Sequence, residues 1–235
     1  MNFSQSWQAF VRSLRLGYEH LGKLMLANLL WFSLGFGPLI ILLYLPWQAP
    51  IMLIAALLIS LVMFGGAYPA LHMLINHIMD RQDVSWRLFW QGFKKFAVRG
   101  TILFFIRMLG FFILGFNIWV TLNNPSTLFL ILSGVWLWGI FYWYAIQQFV
   151  YPFLIRQDIG VLMTLKRAVL ITLDNPLASV FVLVVSLVFG IASVFLAIPL
   201  VLFTAGFLAF LQNNFYVGIM LKYDEQEEAV VEREV

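Results

Sequence analysis

Six apolar runs divide the chain: Leu24–Leu45, Ile51–Leu74, Gly100–Leu122, Thr127–Ile155, Leu177–Ile198 and Leu200–Leu221. A helix needs about 20 mostly apolar residues to cross the hydrocarbon of a bilayer, so each run predicts a transmembrane helix. The last two form one uncharged stretch. At 1.5 Å per residue it reaches about 67 Å, roughly twice the hydrocarbon thickness. It has to fold back, and Pro199 marks the turn. Pro46 and Pro50 bracket the first hairpin turn, and Asn123, Asn124 and Pro125 form the second.

A second period precedes each pair of spans. Trp7, Phe10, Val11 and Leu14 recur at i, i+3, i+4 and i+7, and Trp86, Phe89, Trp90 and Phe93 repeat that spacing. Leu162, Leu165 and Val169 give a fainter version beside Lys166 and Arg167. Such spacing marks one face of a helix. These stretches, with Lys94 and Lys95, predict helices lying in the membrane interface. The expected fold is therefore all-α and polytopic: three hairpins, each preceded by a cytoplasmic amphipathic helix. Residues 1–223 make one transmembrane domain in units of about 1–75, 76–155 and 156–223.

Composition agrees. Hydrophobic residues make up 63% of the chain and charged ones 11%, against about 25% charged in soluble domains. Every Lys and Arg except Arg107 lies at the N-terminus, between spans two and three, between spans four and five, or after span six. The three intervening loops carry no charge. The positive-inside rule then places both termini in the cytoplasm. This basic face suits anionic lipid headgroups. The segment from Asp224 to Val235 holds six acids and one Arg, and is expected to be a solvated, disordered tail. About 23 mixed residues precede the first span, which argues against a cleavable signal peptide. With no cysteine there are no disulfides or thiolate metal sites.

The units echo one another. Ser6-Trp7 matches Ser85-Trp86, Leu34-Gly35-Phe36 matches Leu114-Gly115-Phe116, Tyr68-Pro69 matches Tyr151-Pro152, and Arg81-Gln82-Asp83 returns as Arg156-Gln157-Asp158. A threefold repeat explains these matches, as does selection of similar residues by similar membrane positions.

No catalytic constellation stands out, and neither enzyme activity nor a cofactor is expected. Gly17 to Lys23 fits G-x-x-x-x-G-K, but Leu24 replaces the hydroxyl residue and no strand precedes it, so it does not read as a phosphate loop. His72 and His77 are five apart, the wrong spacing for two ligands on one helical face, and read as interfacial; no metal site is expected. Arg107 stands out. It lies about 10 Å inside span three, and no span contains an acid to neutralise it. It either snorkels to the interface or faces the bundle. Gln147 and Gln148 on span four, Gln212, Asn213 and Asn214 on span six, and Asn28 on span one lie at comparable depth. Together they predict a polar layer, serving as interhelical hydrogen-bond glue or as a site for an anionic or polyhydroxy ligand. Ser186 with Gly190, and Ala205 with Ala209, are small-residue pairs suited to close helix contact. Trp136, Trp138, Tyr142, Trp143 and Tyr144 read as lipid-facing bulk.

Three segments carry a resemblance: Asn28-Leu29-Leu30-Trp31, Gly66-Ala67-Tyr68-Pro69-Ala70-Leu71, and Phe89-Trp90-Gln91-Gly92-Phe93-Lys94-Lys95. In these, and in layout up to about Tyr223, the chain resembles the YesL-like family of bacterial integral membrane proteins. The resemblance implies a link to carbohydrate-uptake systems and supplies no catalytic residues. Two functions stay open: a transporter or transporter-accessory component with a polar site around Arg107, or a non-transporting scaffold or regulator acting through its amphipathic helices and tail. Expected partners are the bilayer and, through flat apolar faces, a second copy or transporter subunits. Nucleic acid is not expected.

Overall fold

The computed structural model describes residues 1–45, 49–124 and 126–234, with side chains described as far as Asp224. All regular structure among the described residues is helical: α1 (Phe3–Glu19), α2 (Leu21–Leu43), α3 (Pro50–Met79), α4 (Trp86–Leu122), α5 (Thr127–Gln157), α6 (Val161–Asp174), α7 (Pro176–Leu196), a π turn (Leu200–Thr204) and α8 (Ala205–Glu234). Six helical segments, α2 to α5, α7 and Leu200–Asp224, are long and apolar enough to cross a bilayer. The protein is an all-α, multi-pass integral membrane protein. Pro46 and Pro125, assigned to two of the turns, lie outside the described residues.

Local chemistry sets several boundaries. A capping box starts α1: Asn2 Oδ1 accepts from the Gln5 amide at 2.9 Å, and Gln5 Oε1 accepts from the Asn2 amide at 2.9 Å. Pro50 and Pro176 open α3 and α7, where a missing N–H costs nothing. The uncharged stretch folds back after Leu196: Ala197 adopts φ 55°, Pro199 follows, and the π turn leads into α8. A π turn leaves backbone groups out of the α pattern. Asn28 of α2 satisfies them, donating to the carbonyls of Leu200 at 3.1 Å and Val201 at 2.7 Å, and accepting from the Gly206 amide at 2.9 Å.

The packing is cyclic. The second helices of the three hairpins, α3, α5 and α8, touch one another at the centre. Each first helix wedges between its own partner and the central helix of the preceding unit: α2 between α3 and α8, α4 between α5 and α3, α7 between α8 and α5. The amphipathic segments follow the same rule. α1 packs on α8, the start of α4 on α3, and α6 on α5. Tyr68-Pro69 and Tyr151-Pro152 thus fall on corresponding central helices, whereas Arg81-Gln82-Asp83 follows α3 and Arg156-Gln157 still belongs to α5.

Two expectations change. The second amphipathic stretch is not a separate helix; α4 runs unbroken for 37 residues from Trp86 through the span. Its apolar stripe also meets protein more than lipid. Phe89 is fully buried, Trp90 and Phe93 are half-buried, and Gly92 sits against Ala70 and Met73 of α3. The small residues of α3 offer that stripe a closer partner than the interface does. Trp7 and Trp86 are exposed as expected, Phe10 is half-buried against Phe181, and Lys94 is exposed. Lys95 pairs with Asp158 at 2.8 Å, and Arg99 meets the same carboxylate at 2.6 Å, tying α4 to the end of α5. These hydrogen bonds hold the Asp158 carboxyl below its ordinary value. The backbone of α8 stays helical to Glu234, where the sequence predicts a disordered tail.

Candidate functional site

The central triangle of α3, α5 and α8 is polar. Tyr68 of α3 donates to Gln212 Oε1 at 3.3 Å, Gln212 Nε2 donates to Gln148 Oε1 at 2.9 Å, and Ser186 of α7 donates to that same oxygen at 3.0 Å. Gln148 Nε2 turns back to the Tyr144 carbonyl at 3.1 Å. Aromatic rings frame this chain. Tyr68 meets Tyr151 edge-on with centroids 4.7 Å apart, and His72 lies nearly parallel to Tyr151 at 5.6 Å.

His72 has a defined proton. Asn213 Nδ2 lies 2.7 Å from the Ala209 carbonyl and 2.9 Å from His72 Nδ1. A carbonyl accepts only from a donor, so the amide nitrogen faces both, and Nδ1 must accept. The imidazole proton then sits on Nε2, which has no hydrogen-bond partner among the described residues. The Gln147 amide, the Tyr151 hydroxyl, Asn213 Oδ1 and Asn76 Oδ1 share that condition. Each such buried group costs about 1–3 kcal/mol, so the centre holds more hydrogen-bonding capacity than the fold consumes.

Arg107 stands beside this layer and is not bonded into it. It lines a cavity of about 320 Å³ walled by Trp31, Phe64, Tyr68, Phe104 and Thr204. Phe64 and Leu208 line it one turn before Tyr68 and Gln212, so it lies on the uncharged side of the polar layer. No hydrogen bond or ion pair joins the guanidinium to another described residue, and its Nε is buried without a partner. Trp143 fixes the backbone, its indole packing where Gly110 leaves room and donating to the Arg107 carbonyl at 3.2 Å.

The residues singled out in sequence separate into three groups. Gln147, Gln148, Gln212 and Asn213 lie in the central layer, and Arg107 borders the cavity next to it. Asn28 and Asn214 serve the scaffold instead, Asn28 at the π turn and Asn214 by donating to Ser13 of α1 at 2.9 Å. His72, read as interfacial, is fully buried at the centre, whereas His77 only contacts the Met73 carbonyl one turn back. Trp143, read as lipid-facing, packs against α4; Trp138 does face outward. Gly190 meets open space rather than a packing seam. Tyr68, Tyr151 and Ser186 went unnoticed as site residues. The matched Tyr-Pro pairs were the available signal, since they set Tyr68 and Tyr151 at equivalent places on two central helices. Comparisons with family models, curated proteins and solved structures give no match to this chain.

Proposed function

We propose that the protein is a transport component of a bacterial cell membrane, with its basic face in the cytoplasm. The observation that carries this reading is a lone guanidinium opening into a mid-span cavity above a buried amide and phenol layer. A cation in that position gains most from an anionic ligand, because no span supplies a carboxylate. Below the layer, Ile75, Leu154 and Ile219 of the three central helices are fully buried and close the route to the basic face. The ligand reaches Arg107 from the uncharged side, exchanges bonds with the unpartnered groups of the centre, and passes inward as the helices shift. It is moved, not transformed.

The resemblance to the YesL-like family adds an expected link to carbohydrate uptake. In that setting the ligand is a sugar acid or sugar phosphate, since a neutral sugar leaves Arg107 uncompensated while the aromatic walls suit a sugar face.

The natural chain has no cysteine, which makes single-cysteine labelling clean. In sealed vesicles of known orientation, Thr204→Cys should react with a membrane-impermeant thiosulfonate from the uncharged side alone, and Asn124→Cys likewise. A Thr204→Cys thiol that is inert from both sides would remove the aqueous cavity and the transport reading with it. Reaction of Asn124→Cys from the cytosolic side would reverse the orientation.

A further inference from the structure

A second cavity, of about 550 Å³, lies on the basic face where α1 gives way to α2 and α3 ends. Arg12 and Arg15 reach it from α1, Lys23 from the first turn of α2, and Arg81 from the turn after α3. Two carboxylates share the lining. Glu19 is engaged by Arg15 at 2.8 Å, leaving Asp83 against Arg12, Lys23 and Arg81. The cleft thus keeps an excess of positive charge.

Its shape comes from a helix break. α1 ends at Glu19, His20 turns the chain with φ −118° and ψ 28°, and α2 opens at Leu21 with no side-chain cap. Gly22 has open space beside it. The positive end of the α2 dipole and the negative end of the α1 dipole meet at this break, so the charge of the cleft comes from its side chains. The G-x-x-x-x-G-K segment spans this break. It makes no nucleotide loop, yet it brings a glycine and a lysine to an open helix end.

We infer that this cleft binds the phosphate group of an anionic ligand at the membrane surface. Three cations converging from three separate elements match one phosphate group, whose several oxygens can accept from them together, better than scattered chloride ions. The depth also fits a lipid phosphate: α1 leaves Trp7 exposed, as an interfacial aromatic would be, and the α2 span begins within a turn of the cleft. A soluble phosphate compound offers the same chemistry, and the two sources separate experimentally.

The test is thermal unfolding of the purified full chain in neutral detergent, with phosphatidylglycerol, phosphatidylcholine, or inorganic phosphate added against chloride at equal ionic strength. Phosphatidylglycerol should raise the Tm and phosphatidylcholine should not. A rise with inorganic phosphate as well shows that the phosphate group alone suffices, and a rise with phosphate only assigns the cleft to a soluble ligand. Combining Arg12→Gln, Lys23→Gln and Arg81→Asn should weaken the apparent affinity by about fivefold per cation removed. Asn is chosen at 81 because that residue has φ 56°. Removing the same charge from exposed sites elsewhere, with Arg87→Gln, Lys94→Gln and Lys166→Gln, should leave the affinity within about twofold. If the cleft triple does not fold, Arg81→Asn alone carries the comparison. Equal losses in both triples, or no shift with either anionic probe, would overturn the site.

Discussion

Helix α3 has two working faces, and they are built on opposite principles. Toward α4 it presents Gly65, Gly66, Pro69 and Ala70. A Cβ at Gly100 of α4 would strike the Gly65 carbonyl and the Pro69 ring, and one at Gly65 would strike the backbone of Thr101. Toward α5 and α8 the same helix presents Tyr68, His72 and Asn76, all buried, with several polar atoms lacking partners. In lipid, helices gain little from apolar contact alone and much from close backbone approach. The glycine seam is therefore sufficient to hold a hairpin together. The polar face weakens the resting fold, which points to a purpose outside folding.

The sharpest break in this contrast is at the seam. Gly100→Leu should abolish the folded protein, seen as loss of the monodisperse peak in detergent size exclusion. Gly100→Ala already sets a Cβ against the Gly65 carbonyl and should cost about 3 kcal/mol or more in thermal unfolding, the upper end of the overpacking penalty. A leucine variant that elutes and melts like the natural protein would show that α4 is not seated on α3.

The next test separates polar groups that serve the fold from those that do not. Asn28→Leu strips partners from two carbonyls and one amide at the π turn and should cost about 2–4 kcal/mol. Faster hydrogen exchange around Gly206 should accompany the loss. His72→Phe removes a donor that had no partner but also the acceptor of one Asn213 N–H, while Asn213 stays bonded to Ala209; the two changes oppose each other, so its unfolding should stay within about 1 kcal/mol of the natural chain. Were the two equally damaging, the polar centre would be structural glue.

The layout of the fold was legible because lipid imposes a length, which is a property of a run of residues. The division of labour among polar residues was not, because it depends on which face each one occupies. Asn28 and Gln148 look alike in sequence, yet one caps a π turn and the other joins three helices. His72 was misjudged because α3 runs to Met79, placing a residue that looked terminal well inside the bundle. Phe89 was misjudged because an apolar stripe with period 3.6 predicts burial and does not say whether lipid or protein buries it. Arg107 stood out in the sequence because its cost in lipid is local and needs no partner to be recognised.

The smallest effect is expected at the basic rim, where α4 is tied to α5 by charge instead of glycine. Asp158 ends α5 in the left-handed region, φ 50°, and meets Lys95 and Arg99. Its carboxyl is held below the ordinary value, first by the Lys95 hydrogen bond and then by that of Arg99. A depressed carboxylate contributes stability that is complete above its ordinary value, near pH 4, and that fades as the pH falls through the lowered one. With the side chain 44% exposed, the contribution should be under about 1 kcal/mol and should shrink in salt. Asn tolerates the same backbone, so Asp158→Asn isolates the charge. Its Tm should trail the natural protein by a constant small margin from pH 8 to about pH 5, and the two curves should converge below about pH 4. A margin unchanged at acid pH would mean that Asp158 acts through its backbone geometry, leaving the glycine seam as what fixes α4 along its whole length.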